Sequence, residues 1–285
     1  MKWVLKVVAK LVLSRVPLSY RAFSKLGMFR HGRMNKSAYA ERVFFGHAEK
    51  IGGPGAFAGK VCLELGPGDS LASAILAHAL GAEAIYLVDV GPFAETDVAV
   101  YRAIIRDLAR QGHSVARLQD VADVPELLAR TNATYLTEGL ASLRSIPDQS
   151  VDIIWSQAVL EHIRVHEVSQ VLQEMRRVMT PSGVMSHRID YKDHLGGSLN
   201  NLRFPGKLWE SEFMARSGFY TNRIRNSEFL GLIEDAGFEL TEVRPGRWDA
   251  LPIPRKRLAA PYRSLAEDDL LTKNVDAVAV PVPQQ

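Results

Sequence analysis

Two glycines bracket a proline at Gly66-Pro67-Gly68, directly after the apolar stretch 61–65, and an acid, Asp89, follows 21 residues beyond Gly68. Glycine in a turn lets backbone approach a ligand closely and adopt angles closed to other residues. A carboxylate at that spacing can accept hydrogen bonds from both hydroxyls of a ribose. A second set of residues carries acid–base chemistry: Glu161-His162 in one segment, and His187, Asp190, Asp193 and His194 in another. Histidine beside carboxylates is what removing a proton from a poor nucleophile requires. The same oxygen-rich set would suit Mg2+.

Positioning these groups takes an alternation of strands and helices. Residues 60–65 form an apolar run expected as a strand buried on both faces. A helix is expected over 70–80, ended by Gly81, and a second strand over 84–88 that stops at Asp89. Val98, Tyr101, Ile104, Ile105 and Leu108 line one face of a helix over 97–111, ended by Gly112; a short helix at 124–130 and a short strand at 134–136 follow. Residues 151–155 form the next apolar strand, then Val168, Val171, Leu172, Met175 and Val178 fall at helical spacing. Residues 180–183, TPSG, are expected as a turn before a strand at 184–189. An irregular stretch rich in Gly, Asn, Arg and aromatics occupies 190–225, then come a helix at 227–236 closed by Gly237 and strands at 238–243 and 275–282, with a Pro/Arg-rich loop between them.

This order predicts an α/β fold: a doubly wound, Rossmann-like parallel sheet. Residues 1–55 are expected as a helical, basic extension and 56–285 as the main domain, with a lid-like insertion at about 190–225. The glycine turn, Asp89 and the Glu161-His162 segment then all lie at the carboxyl ends of strands, where such sheets bind ligands.

The chain has 285 residues, 47% hydrophobic and 24% charged, an ordinary globular composition. Its single cysteine, Cys62, excludes an internal disulfide framework and fits a reducing, cytoplasmic setting. Net charge is +3, unevenly spread: nine of the 35 basic residues and none of the 32 acids lie in 1–36, so the remainder carries 26 against 32, a net −6. Lys6 and Lys10 interrupt the first apolar run, which is too short and too charged to span a bilayer. Lys2, Lys6 and Lys10 would share one helix face, so 1–36 is expected either to lie at an anionic membrane surface, such as the inner membrane, or to dock on its own domain or a partner subunit in a homodimer. The acidic body argues against a nucleic-acid partner.

A dinucleotide site uses G-x-G-x-x-G, but Leu71 stands where the third glycine would be. S-adenosylmethionine has no pyrophosphate and carries an amino-acid tail and a sulfonium, and Glu64 could bind the turn's backbone or reach the ligand's ammonium through water. At this point the chain resembles the class I S-adenosylmethionine-dependent methyltransferases. "ELGPGDS" followed by "YLVDV" is similar to that family's first two motifs, "SVDIIWSQAVLEHI" (150–163) to its fourth, "VLQEMRRVMTPSGVM" (171–185) to its E-x-x-R passage and "LIEDAGFEL" to its penultimate helix and strand. The likeness runs over roughly 58–245; Ser182 replaces a usual glycine. It implies cofactor roles for Glu64, Gly66, Pro67 and Gly68, a ribose contact for Asp89, an adenine-edge contact for Glu138-Gly139-Leu140, and places Ser156 and Gln157 beside the methionine part.

Methyl transfer from a sulfonium chiefly needs in-line positioning, and an alcohol acceptor also needs a base or a metal. His162 is the first candidate base and His194 the second, with Asp190 or Asp193 orienting it. Some relatives bind Mg2+ through E-x-x-E-H; here Ala158 replaces the first glutamate, so a metal site would draw on Glu161, His162, Asp190 and Asp193. "H-x-I-D-x-x-D-H" (187–194) followed by "G-F-Y-T-N-R-x-R" (218–225) resembles a subgroup associated with bacterial surface polysaccharides. Phe204, Trp209, Phe213, Phe219 and Tyr220 among Arg203, Arg216, Arg223 and Arg225 could form a sugar platform or a mini-core of the lid. O-methylation of a sugar or glycan is therefore the expected reaction; a quinone- or lipid-like acceptor, an inactive cofactor-binding scaffold and a dehydrogenase are the alternatives. No N-P-P-Y tetrad of nucleic-acid methylation follows the fourth strand, which continues Ser156-Gln157-Ala158-Val159.

Overall fold

A computed structural model describes residues 37–283. Expectations about 1–36, the cationic helix face included, lie outside the described residues.

Seven strands form one sheet in the order β3-β2-β1-β4-β5-β7-β6. They are β1 (Val61–Leu65), β2 (Ala84–Val88), β3 (Ala133–Leu136), β4 (Val151–Gln157), β5 (Met179–Asp190), β6 (Phe238–Arg247) and β7 (Thr272–Pro281). β1 to β5 run parallel. β7 is antiparallel to both β5 and β6, so the expectation of an all-parallel sheet is corrected at that edge. The reason is the connection: α11 (Glu267–Leu271) ends directly at Thr272 and feeds β7 in from the carboxyl ends of the parallel strands. The strand order reverses between β1 and β4, which opens a crevice at their carboxyl ends.

Helices cover both faces. On one lie α1 (Ser37–Lys50), α2 (Ala72–Ala79), α3 (Val98–Arg110) and α4 (Val124–Arg130), whose apolar residues pack with Cys62, Ile153 and Trp155. In α1 the stripe Ala40, Val43, Phe44, His47 and Ala48 follows helical spacing and is buried, and Phe44 meets Trp155 edge-to-face at 5.5 Å between centroids. On the other face α5 (Leu140–Ser145), α6 (Val165–Val178) and α9 (Asn226–Asp235) pack on Leu63, Leu65, Ile154 and Met185. Among the described residues no helix is long and apolar enough to cross a membrane.

Two local expectations change. Residues 180–183 are drawn into β5, because the register jumps from Val151↔Met179 to Ile153↔Val184 and the extra residues bulge within the strand. A Cβ on Gly183 would collide with Met179 there. The Pro/Arg-rich loop is shorter than expected, since β6 runs on to Arg247 and α10 (Ala260–Arg263) interrupts the rest.

The insertion after β5 folds on itself. Short helices α7 (Gly206–Trp209) and α8 (Glu212–Ala215) gather Leu195, Trp209, Met214, Phe219 and Tyr220 into a separate small core. Arg225 ties both ends of this insertion to the sheet: its guanidinium donates to the carbonyls of Tyr191, Asp269 and Thr272 at 2.7–3.1 Å.

Candidate active site

The carboxyl ends of β1, β2 and β3 are laced together around Asp89. Gly66 turns at φ +72° and its N–H donates to Val88 O at 2.7 Å. A Cβ at Gly66 would collide with the Val159 side chain, so glycine is needed both for the angle and for the approach of the post-β4 segment. Gly68, at φ +68°, donates its N–H to Asp89 Oδ2 at 2.9 Å, and Val90 N–H donates to Oδ1 at 2.7 Å. The Asp89 backbone donates to Leu136 O and accepts from Gly139 N–H at 2.8 Å. Gly66, Pro67, Gly68, Asp89, Glu138 and Gly139, six of the cofactor residues expected from the sequence, thus come together.

Glu64, on β1 just beneath the turn, is buried, and its Oε2 has no hydrogen-bond partner. Burial pushes its pKa up to about 7; the nearby Ser73 hydroxyl and Trp155 indole pull it partway back, and Asp89 adds to the rise. A carboxyl in that state gains from an approaching cation. An orphaned buried acid, a diol acceptor and left-handed glycines are a donor set that fits S-adenosylmethionine, and they are the residues that would hold it.

At the end of β4 the two expected contacts are already engaged with protein. Ser156 is fully buried and its Oγ lies 2.7 Å from His187 Nδ1. Gln157 Oε1 lies 3.1 Å from Nε2 of His47, which sequence reading missed. The signal was present: His47 occupies the apolar stripe of α1. His187, grouped at first with the residues after β5, is instead turned into the sheet beside Ser156, where burial lowers its pKa to about 3 and keeps it neutral. The reason is strand alternation: Met185, His187 and Ile189 share one face of β5, the one packed under α6 and α9, while Ser186 faces α1.

His162 and His194 do meet. Their rings stack at 4.9 Å with 8° between planes, and their Nε2 atoms are 3.3 Å apart. His162 Nδ1 lies 3.1 Å from the Tyr220 carbonyl. A carbonyl only accepts, so Nδ1 carries the proton and Nε2 presents the lone pair, toward His194. Asp190 is paired with Lys192 at 3.2 Å and accepts that residue's N–H. Asp193 staples the turn after β5: its Oδ1 accepts from Leu195 and Gly196 N–H and its Oδ2 from Asn200 N–H. Its expected orienting and metal-binding roles are corrected accordingly, because a carboxylate spent on three amides holds a loop. Among the described residues no three His, Cys, Asp or Glu side chains converge as a metal site would need, so the Mg2+ set Glu161, His162, Asp190 and Asp193 is not assembled.

Glu161 is buried beneath this pair, and neither carboxyl oxygen has a well-aligned donor. Burial, and then the charge of Asp190, push its pKa up to about 8 from an ordinary 4.5. A raised carboxyl contributes stability that is complete below its unfolded value of 4.5 and is lost as pH rises through 8. E161Q is therefore expected to melt within about 2 °C of the wild type at pH 5 and roughly 5 °C higher at pH 9. Parallel melting curves across that range would show that the carboxyl stays hydrated.

Four of the five lid aromatics, Phe204, Trp209, Phe219 and Tyr220, form a core and not a platform, while Phe213 is exposed. Trp209 and Phe219 are fully buried, Tyr220 donates to Glu210 Oε2 at 2.6 Å, and Arg223 stacks on Trp209 and Tyr262. Of the two readings of this stretch, the mini-core is the one the packing adopts, since rings at this density exclude water from one another's faces.

Residues 63–186 match the protein family described as "Methyltransferase domain". A Mycolicibacterium smegmatis protein described as a probable S-adenosylmethionine-dependent methyltransferase is 28% identical over 141 residues, 49% of this chain and 48% of that one, so the chain spans about half the length of that relative. Among solved structures, a methyltransferase from Methanosarcina mazei superposes with a TM-score of 0.48 at 16% identity, covering 79% of this chain and 93% of its own. An S-adenosylmethionine-dependent methyltransferase from Mesorhizobium loti gives 0.44 at 15% identity, covering 79% and 92%. The matched segment runs from within β1 into β5 and holds the glycine turn, Asp89 and the Glu161-His162 segment, so the likeness to methyltransferase domains falls on the strand ends described above.

Proposed function

We propose that this protein transfers a methyl group from S-adenosylmethionine to a hydroxyl acceptor, with the His162–His194 pair receiving the hydroxyl proton. The observation that carries the reading is the lacing of three strand ends around Asp89, whose carboxylate is held in place by Gly68 and Val90 N–H. The donor, when bound, supplies an already activated methyl group. Asp89 holds its diol, and Glu64 offers a carboxylate to its positive charge. His162 takes the acceptor proton on Nε2 while its Nδ1–H stays on Tyr220 O, which fixes the ring during transfer. His194, stacked on it, shares the added charge.

A sugar or glycan hydroxyl is the acceptor we propose, on the resemblance of 187–194 and 218–225, with the protein in the cytoplasm. A quinone- or lipid-like acceptor is the second reading. It is favoured by three exposed apolar residues, Val165, three positions after His162, and Leu208 and Phe213 of the lid, which the Arg164–Glu212 ion pair ties to the same segment. A labelled-methyl transfer screen over sugars, oligosaccharides and quinones, with and without Mg2+, distinguishes the two.

Asp89→Ala is expected to weaken S-adenosylmethionine binding about 100-fold by calorimetry, since two hydrogen bonds to a charged group are lost together. Wild-type affinity in that variant would remove Asp89 from the ribose contact.

A further inference from the structure

We infer that His47 is a positioning residue for the donor pocket: it holds the Gln157 side chain by its oxygen, so that the amide N–H2 is the end presented at the tip of β4. The inference rests on the donor reading above and adds to it a residue from outside the matched segment, on helix α1.

Three contacts converge there. His47 is 2% exposed, with Nδ1 2.8 Å from Ser186 Oγ and Nε2 3.1 Å from Gln157 Oε1. An amide oxygen only accepts, so Nε2 carries the hydrogen and Nδ1 accepts from the Ser186 hydroxyl. One neutral imidazole thereby satisfies two strands at once, Gln157 on β4 and Ser186 on β5. Burial, and then the charge of Lys50, lower its pKa to about 4, which keeps this donor–acceptor pattern unchanged over the physiological range.

The helix that delivers His47 is fixed in register. Lys50, one turn on, pairs with Asp276 at 2.7 Å, and Asp276 also binds Arg188 at 2.8 Å. Arg188 is the residue opposite Gln157 in the β4–β5 ladder, and its carbonyl accepts from Ala158 N–H at 2.8 Å. Ala158 stands at φ +55°, so the chain turns sharply right after Gln157. Gln157 is therefore held from its side chain, from its ladder partner and from the turn behind it. With its oxygen engaged, it offers two N–H donors, and a carboxylate is the group such donors recognise. The amino-acid tail of S-adenosylmethionine carries one.

The test is calorimetry with S-adenosylmethionine on the wild type, H47N, H47Q, Q157A and H47N/Q157A, each with a thermal melt. Asparagine can reproduce the Nδ1 contact to Ser186 but falls short of Gln157, whereas glutamine reaches it. H47N is expected to weaken binding five- to tenfold, Q157A by a similar factor, and the double variant by no more than about twofold beyond either, because both remove one interaction. H47Q should bind within twofold of the wild type. A merely structural role would lower the melting temperature of H47N without this coupling. Wild-type affinity in H47N, or effects that multiply in the double variant, would overturn the inference alone. A wild type that takes up no donor would overturn the donor reading with it.

Discussion

His162→Ala is expected to lower turnover by about 10²–10⁴-fold, the range for loss of a positioned general base, with donor affinity unchanged. The split follows from the geometry. His162 is exposed, in the short helical turn after β4, and takes no part in the bonds that hold Gly66, Gly68 and Asp89 together, so its loss leaves those bonds intact. Its ring is oriented by the Tyr220 carbonyl and by His194, and both contacts come from the insertion after β5. His194→Ala should lower turnover less, since it removes a neighbour of the base and leaves the base itself. Single-turnover rates alongside calorimetry would separate the two effects. Unchanged turnover in His162→Ala would remove it from the proton-accepting role, and a parallel loss of donor binding would make it a structural residue.

Arg225→Ala is expected to lower the melting temperature by ~10 °C. The guanidinium is buried, its pKa lowered to about 10 by desolvation, and it donates to three carbonyls while lying 5.0 Å over the Tyr191 ring. Removing it leaves the carbonyls of Tyr191, Asp269 and Thr272 without these donors, at ~1–3 kcal/mol each. In a chain of this size each kcal/mol shifts the midpoint by roughly 2–4 °C. Lysine restores the charge but not the planar fork, so Arg225→Lys should fall between the two. Arg225 also joins the two ends of the lid to β7, so turnover should fall further than stability alone accounts for. A melting point within 2 °C of the wild type would mean that water replaces the guanidinium.

Much of the fold could be read along the chain. The strands and helices from 60 to 178, the short α5 excepted, are set by apolar runs and helical spacing, and every glycine stop from Gly81 to Gly237 falls where the structure ends a helix, because left-handed residues leave a local mark. The glycine turn and Asp89 were legible for the same reason, being neighbours across one strand–helix–strand unit. The antiparallel β7 was not legible, since strand direction is set by which end the preceding segment enters from, and a strand reads alike in both directions.

Aromatic and arginine residues of 203–225 show why composition is a poor guide to exposure. The same rings can face a ligand or one another, and here Trp209 and Phe219 chose one another because the insertion is long enough to close its own core. The sequence by itself determined the glycine turn and its acid, which meet through contacts made within a few dozen residues. Only the tertiary structure decided that His162 meets His194, that Asp193 is spent on a loop and that His47 reaches Gln157 across 110 positions, because these pairings depend on which helix is laid over which strand end, and no local periodicity records that.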